Sequence, residues 1–178
     1  MKTDSLDAEA LYRDLLDRLR AAYGDALGQP DGVLPVGIHS GGAWLAERLA
    51  ADLSTPAWRV PFGTLNVTLH RDDFAEKGLH TQSQPTSLPF EIAERRLLLL
   101  DDVLFTGRTI RAALNELYDY GRPASVDLAV LADRGGRELP IAARFAAADV
   151  EVAADEIVVL TRDDAGTFAF ATEKRPGV

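Results

Sequence analysis

The hydrophobic residues of this chain recur with two spacings, one typical of helices and one typical of strands. Near the amino terminus, Leu11, Leu15 and Leu19 lie four residues apart and therefore share one helical face. This spacing predicts an amphipathic helix over 8–22. The next apolar run, over 33–38, is short and continuous, which predicts a strand.

A proline lies inside that first predicted strand. Pro35 has no N–H to donate, so we expect the strand to lie at an edge of its sheet or to carry Pro35 at its first position. A glycine-containing turn follows, and then a helix over roughly 43–53. Between 60 and 69 apolar and polar residues alternate, which predicts a second strand with one buried face.

The second half of the chain alternates between strands and helices. Four consecutive leucines, Leu97–Leu100, predict a central parallel strand that is covered on both faces. A helix over 109–120 and a strand over 126–132 follow. The chain then closes with an antiparallel pair of strands over 156–160 and 167–171. This order predicts an α/β fold with a central, mainly parallel sheet flanked by helices.

Residues 71–90 show neither spacing and are rich in polar residues and turn formers. A loop of about 20 residues without structure of its own is uncommon in a compact domain, and such loops usually carry function. We therefore expect a mobile lid over the site, with a long β-arm as the alternative.

Length and composition favour one domain spanning residues 1–178. The chain has no cysteine, a net charge of −9 and a pI near 4.8, which disfavours broad attraction to nucleic acid or to anionic membranes. It begins without the apolar core of a signal peptide, and no apolar run reaches the ~18 residues of a membrane helix. We expect a cytoplasmic protein with no membrane partner.

Candidate chemistry is concentrated directly after the four leucines. Asp101 and Asp102 supply carboxylates that suit vicinal ribose hydroxyls or, through water, a hydrated Mg²⁺. The loop Thr106–Thr109 then opens a helix, whose amino terminus attracts phosphate. Paired acids at strand ends also occur in receiver domains and metal sites, but the loop and helix favour a phosphorylated sugar. Because the chain lacks Walker A and dinucleotide-binding glycine patterns, we do not expect an ordinary NTPase or dehydrogenase.

The block Leu99-Leu-Asp-Asp-Val-Leu-Phe-Thr-Gly-Arg-Thr-Ile110 resembles the phosphoribosyl-pyrophosphate (PRPP) motif of type I phosphoribosyltransferases. Downstream, Gly121–Ile141 resembles the PyrR family of pyrimidine operon regulators. Two segments upstream of the motif, Val36–Gly42 and Leu65–Asp73, resemble the same family. Members of that family are uracil phosphoribosyltransferases that can also act as RNA-binding attenuation proteins. The resemblance implies the single-domain type I phosphoribosyltransferase fold, with a mobile hood loop.

The resemblance also implies roles for particular residues. The ribose hydroxyls would be held by Asp101 and Asp102. The 5′-phosphate would lie in the loop formed by Thr106, Gly107, Arg108 and Thr109. Pyrophosphate would contact the turn formed by Ser40, Gly41 and Gly42. Uracil would meet a strand end, largely through backbone groups, at Leu131, Asp133, Arg134 and Gly135.

The implied reaction joins uracil to PRPP and releases UMP and pyrophosphate. Mg²⁺ would arrive with PRPP rather than at a direct protein site, with Asp101 or Asp102 reaching it through water. Arg71, at the root of the lid beside Asp72, would contact pyrophosphate and complete the catalytic set. The alternative for Arg71 is a solvated arginine of the lid. A homo-oligomer, dimer or larger, is also expected.

Two departures from the family pattern concern the expected site. Ser40-Gly41 stands where relatives commonly have Thr-Arg, and Gly136 stands where they usually have histidine. The missing arginine predicts weaker activity unless backbone donors or another cation hold pyrophosphate. His39, beside the turn, is either a polar neighbour or such a contact.

RNA binding is the open question for this chain. It carries Arg13, Arg18 and Arg20 in the first helix, but between 142 and 156 its only cation is Arg144. Because phosphate contacts dominate affinity for nucleic acid, this depletion disfavours binding to pyrimidine-gene (pyr) mRNA. The alternatives are an attenuation protein that responds to UMP or PRPP with weak catalysis, and a phosphoribosyltransferase for another base such as a purine.

Overall fold

The computed structural model describes residues 6–67 and 84–174. Its five-stranded parallel sheet has the order β2-β1-β3-β4-β5. These strands are β1 Val33–Ile38, β2 Gly63–Leu65, β3 Arg96–Leu104, β4 Ser125–Asp133 and β5 Phe145–Asp149. The helices are α1 Ala8–Tyr23, α2 Gly41–Leu53 and α3 Arg108–Asp119, with a 3₁₀ turn at Gly24–Ala26. A separate antiparallel hairpin is formed by β6 Glu156–Arg162 and β7 Phe168–Lys174.

Helices cover both faces of the sheet, as the four leucines of β3 predict. Leu98 and Leu100 pack on the face covered by α1, α2 and the hairpin. Leu97 and Leu99 pack on the opposite face, against α3. All four are at most 1% exposed, so β3 is the buried centre of the molecule. The α/β class and the mainly parallel central sheet are confirmed. No helix of the described part is long and apolar enough to cross a membrane.

Helix α1 forms where its spacing predicts. The Asp7 carboxylate accepts a hydrogen bond from the Ala10 N–H at 3.0 Å and so caps the first turn. The buried face carries Tyr12, Leu15 and Leu19, which pack into the core on the α1 side of the sheet. The hairpin β6–β7 is likewise confirmed, with strands that run a little beyond the predicted bounds.

Both alternatives expected for Pro35 are wrong, since β1 lies between β2 and β3 and Pro35 is its third residue. The pairing shows why the proline is tolerated. Pro35 pairs with Leu98 of β3, whereas β2 pairs with β1 only from Val36 onward. A strand therefore flanks Pro35 on one side only, which suits a residue without an N–H.

Other bounds also differ from the expectations. Strand β2 ends at Leu65, although Val67 is buried as predicted. Strand β5 was not predicted at all, and α2 begins at Gly41 rather than at 43. Of the predicted lid, residues 71–83 lie outside the described residues. Its last part approaches β2, where Ser87 and Thr64 exchange two backbone hydrogen bonds of 2.8 Å.

Candidate active site

The predicted site residues lie at the carboxyl ends of β1 and β3. These two strands are neighbours, but their helices cover opposite faces of the sheet, α2 after β1 and α3 after β3. The strand order therefore changes direction between β1 and β3. Open α/β sheets bind ligands in the crevice at such a switch point.

Asp101 and Asp102 lie inside β3, which continues to Leu104, rather than after its end as the sequence suggested. The Asp101 carboxylate is buried and accepts a hydrogen bond from the Asp102 N–H at 3.1 Å. The Asp102 carboxylate accepts two, from the Val103 N–H at 3.0 Å and from the Leu160 N–H of the hairpin at 3.2 Å. Alternation along β3 directs the two side chains to opposite faces, so they approach the crevice from both sides.

The turn Ser40–Gly42 is pressed against β3. A Cβ atom placed on Gly41 would lie 2.6 Å from the Asp102 carboxyl group. One placed on Gly42 would lie 2.1 Å from the backbone oxygen of Leu100. The two glycines are therefore required for this close approach, and the arginine common in the family at position 41 could not be placed here without displacing Asp102. The structure thus brings the predicted pyrophosphate turn and one predicted ribose carboxylate into contact.

The phosphate loop begins α3. Gly107 precedes the helix with a φ of +91°, a conformation that favours glycine. The Arg108 N–H donates to the Thr106 hydroxyl at 3.3 Å. The N-cap residues Ser40 and Gly107 make no side-chain capping hydrogen bond, so the first turns of both helices offer backbone N–H donors at the same edge of the sheet. Such helix starts are suited to phosphate groups.

The predicted uracil residues lie at the carboxyl end of β4 and at the start of the loop that follows it. The Leu131 side chain is fully buried in the core, so only its backbone could contact a ligand. The Asp133 carboxylate accepts hydrogen bonds from the Gly135 N–H at 2.9 Å and from Arg137. Arg134 donates to the Glu156 carbonyl at 3.1 Å and lies over the Phe105 ring at 4.0 Å. Because these side chains contact the protein itself, the surface that a base would meet here is mainly backbone.

His39 lies between β1 and the glycine turn. Its N–H donates to the Leu65 carbonyl at 3.0 Å, and its peptide bond to Ser40 is cis. The side-chain Nε2 atom is buried and has no hydrogen-bond partner within residues 6–67 and 84–174. Burial lowers the pKa of His39 below its ordinary value of 6.5, which favours the neutral ring.

Several contacts of the site carry no signal in the sequence. The Leu160 N–H that binds Asp102 comes from a strand 58 residues away. Arg137 donates to the Phe105 carbonyl from 32 residues away, and Glu138 accepts from Arg108 across 30 residues. Arg71, the predicted pyrophosphate contact, and Asp72 beside it lie outside the described residues.

The residues present fit a magnesium ion that enters with a substrate. Within the described ranges, no group of three or more His, Asp or Glu side chains could hold a metal by itself. Asp101 and Asp102 do supply two adjacent carboxylates, and Mg²⁺ is commonly bound by one or two carboxylates together with substrate oxygens and water. The described cavity of about 270 Å³ lies elsewhere, between α3 and the amino-terminal half of β4.

Comparison with known proteins bears on this geometry. Residues 4–163 match the family model of the phosphoribosyl transferase domain. The fold resembles that of the hypoxanthine-guanine phosphoribosyltransferase of Bacillus anthracis, with a TM-score of 0.58 at 12% identity. That match covers 87% of this chain and 84% of the other. The hypoxanthine phosphoribosyltransferase of Trypanosoma cruzi gives 0.57 at 16% identity, over 85% and 80% of the two chains.

Two relatives found by sequence share a much higher sequence identity with this chain than these two structures do. The bifunctional protein PyrR of Ralstonia nicotianae is 55% identical over 176 residues, which cover 98% of this chain and 97% of the relative. The chain belongs to the PyrR family. The PyrR of Nitrosococcus oceani is also similar, with 47% identity over 93% of this chain and 92% of the relative. The PyrR family predicted from the segment Gly121–Ile141 is therefore confirmed, as is the type I phosphoribosyltransferase fold predicted for this chain.

Proposed function

We propose that this PyrR-family chain is a uracil phosphoribosyltransferase that converts uracil and PRPP into UMP and pyrophosphate. The observation that carries the proposal is the contact between the Ser40–Gly42 turn and Asp102, beside the phosphate loop. A diphosphate site, a ribose site and a phosphate site are thereby adjacent, as the three parts of PRPP require. The family relationship supports the same conclusion.

In the proposed mechanism the protein contributes mainly position and charge. Asp101 and Asp102 hold the 2′- and 3′-hydroxyls, while the loop Thr106–Thr109 holds the 5′-phosphate. This fixes the anomeric carbon between the glycine turn and the backbone that follows β4. As the bond from the anomeric carbon to pyrophosphate breaks, positive charge develops on the ribose ring. The uracil ring nitrogen forms the new bond to that carbon and gives up its proton to the departing pyrophosphate or to water. The carboxylates of Asp101 and Asp102 would stabilise the developing positive charge, and burial of Asp101 strengthens its contribution.

The pyrophosphate leaving group would be held by groups other than those that hold the 5′-phosphate. Mg²⁺, when bound with PRPP, neutralises the pyrophosphate, and Asp101 or Asp102 would hold it through water. The turn Ser40–Gly42 donates backbone N–H groups from the start of α2. Arg71 is part of the proposal as a further contact to pyrophosphate.

Base selection is the first test of this function. Initial rates with PRPP and Mg²⁺ should be measured for uracil, hypoxanthine and guanine, with nucleotide products separated by chromatography. We expect UMP to form and the purines to react at least about a hundredfold more slowly, because a site built on hydrogen bonds to one base leaves them unmade with another. Faster reaction with a purine would contradict the uracil assignment.

A second, regulatory function is supported by the word "bifunctional" in the names of the relatives. We propose that the chain also regulates pyrimidine genes, with pyr mRNA as the candidate target. Several cations that RNA would use have protein partners: Arg18 with Asp14, Arg144 with Asp127, and Arg137 with Asp133. We therefore expect weak binding to RNA, with a shallow dependence on salt in a filter-binding assay. A steep salt dependence would show that these ion pairs open on RNA.

Self-association is the remaining part of the proposal. Tyr118 and Tyr120, at the end of α3, are 55% and 53% exposed. Exposed aromatic residues of this size are enriched at protein interfaces. We expect a dimer or larger assembly in sedimentation velocity, weakened by the Tyr118→Ser/Tyr120→Ser double variant.

A further inference from the structure

We propose that Arg137 is a positioning residue that joins the segment 104–108, which contains the end of β3 and the start of the phosphate loop, to the base-edge loop, 133–141. Through this connection, binding of the ribose 5-phosphate group would order the backbone that meets the base. The identity of these ligands, ribose 5-phosphate and a base, rests on the proposed function. The connection itself rests on contacts within the protein.

Arg137 uses all three of its guanidinium nitrogens within these two loops. One Nη donates to the Phe105 carbonyl at 2.7 Å, and also approaches the carbonyls of Leu104 and Gly135 at 3.5 and 3.3 Å. The other Nη donates to the Asp133 carboxylate, and Nε donates to the Ile141 carbonyl at 2.9 Å. The side chain is 23% exposed, so these carbonyls are largely sheltered from water. Arg137 therefore binds the beginning of one loop and both ends of the other.

Backbone and side-chain contacts continue the connection along the phosphate loop. The N–H groups of Glu138 and Leu139 both donate to the Thr106 carbonyl, at 3.0 and 3.1 Å. The Glu138 carboxylate accepts from Arg108 Nε at 2.7 Å. Glu138 and Leu139 of the base-edge loop thus form hydrogen bonds with residues that are predicted to surround the 5′-phosphate.

Close packing leaves little room for the two loops to move independently. A Cβ atom on Gly107 would lie 3.0 Å from the Ile141 side chain. One on Gly136 would lie 2.6 Å from the Phe105 ring. Gly136 is the position at which relatives usually carry histidine, so in this chain the Phe105 ring takes that space. The two loops consequently meet over both backbone and side chains.

An arginine is needed at position 137 for geometric reasons. Its planar guanidinium presents five donors in a fixed fork, which can reach carbonyls in several directions and a carboxylate at once. A lysine keeps the charge, but it offers one ammonium group and cannot span both loops. Arg137→Lys therefore separates the charge of the residue from its bridging geometry.

The experiment compares wild type with Arg137→Lys, and uses Arg144→Lys as the matched control. Arg144 also pairs with an aspartate, Asp127 at 2.7 Å, but its side chain is 54% exposed and lies outside both loops. Hydrogen–deuterium exchange is measured on the ligand-free proteins. Dissociation constants for ribose 5-phosphate and for UMP are then measured by calorimetry.

We expect Arg137→Lys to accelerate exchange in both loops, and Arg144→Lys to leave both unchanged. We further expect the affinity for UMP to fall about tenfold and that for ribose 5-phosphate less than about threefold, a coupling of ordinary size between two subsites. Unchanged exchange over 104–108, or equal weakening of both ligands, would overturn the proposal. If wild type bound neither ligand and made no UMP, the proposed function would fail, and the exchange data would still decide whether Arg137 joins the loops.

Discussion

The two proposed anion-binding halves of the candidate site are built in opposite ways. The phosphate loop is held by side chains, since Arg137 and Glu138 bind its carbonyl groups and Arg108. The pyrophosphate turn Ser40–Gly42 instead depends on the absence of side chains, because its glycines lie against the Asp102 carboxyl group and the Leu100 carbonyl. Substitutions around the phosphate loop should therefore disturb it by removing contacts. Substitutions in the pyrophosphate turn should disturb it by adding atoms that clash with β3.

The same comparison explains the missing arginine of the pyrophosphate turn. With Gly41 this close to Asp102, positive charge for the leaving group cannot come from position 41. It would have to come from Mg²⁺ that enters with PRPP, from the amino terminus of helix α2, or from a side chain such as Arg71. His39 is a poor source of that charge, because burial lowers its pKa and favours the neutral ring.

The largest effect on the pyrophosphate half is expected for Gly42→Ala. Its new methyl group would lie 2.1 Å from the Leu100 carbonyl oxygen, and a backbone atom in the central strand cannot move aside cheaply. We expect the free energy of unfolding to fall by about 3 kcal/mol, measured by urea denaturation. A change below about 0.5 kcal/mol would show that α2 does not lie this close to β3.

Gly41→Ala should separate activity from stability. Its methyl group would meet the Asp102 carboxyl group, which is a side chain and can rotate away. We expect kcat/KM for PRPP to fall about a hundredfold, because misplacing a binding group by about 1 Å costs that much. The unfolding free energy should change by less than about 1 kcal/mol, helped by the greater helix propensity of alanine. Equal losses in both measurements would contradict this distinction.

The hairpin that donates to Asp102 is fastened by Arg48. The Arg48 guanidinium lies 4.6 Å from the Tyr12 ring centre and 4.9 Å from that of Phe168, and it pairs with Glu9. For Arg48→Ala we expect a loss of about 1–2 kcal/mol in unfolding free energy, from two cation–π contacts and a partly exposed ion pair. Arg18→Ala, which breaks an exposed pair with Asp14 and one exposed hydrogen bond to the Ala146 carbonyl, is the control and should cost less, about 1 kcal/mol at most.

Acid should weaken the same anchor. The hydrogen bond from Arg48, aided by the N–H of Phe168, holds the pKa of Glu9 below its ordinary 4.5. The unfolded chain therefore takes up this proton at higher pH than the folded one. The stability that Glu9 contributes is complete above about pH 4.5 and is lost as the pH falls through the folded value. In thermal denaturation we expect wild type to lose more stability between pH 6 and pH 3 than Glu9→Gln does. Equal losses would show that Glu9 does not contribute to the loss of stability in acid.

The elements that were predictable from sequence are those with strong local signals. The four leucines of β3 and the spacing of α1 indicated buried faces that the structure confirms. Strand β5 was missed because Phe145-Ala-Ala-Ala-Asp149 has little intrinsic preference for a strand, and its pairing with β4 supplies the missing stability. Pro35 misled for a similar reason, since its tolerance depends on where β2 begins to pair.

The site was predictable as a set of motifs but not as a set of contacts. Asp101, Asp102 and the phosphate loop are adjacent in sequence, so their grouping follows directly. The bonds of Arg137 to backbone carbonyls some 30 residues away leave no mark on the sequence, because any residue supplies a carbonyl. The meeting of Gly41 with Asp102 likewise depends on strand order, which local patterns do not encode.

The most direct measurement is the rate of UMP formation from uracil and PRPP with Mg²⁺, for wild type and for the Asp101→Asn/Asp102→Asn double variant. Asparagine preserves the size of each side chain and removes its charge, and circular dichroism would confirm that the variant folds. We predict robust turnover in wild type and none detectable in the variant. Turnover retained without the two carboxylates, or no turnover from well-folded wild type, would contradict the account.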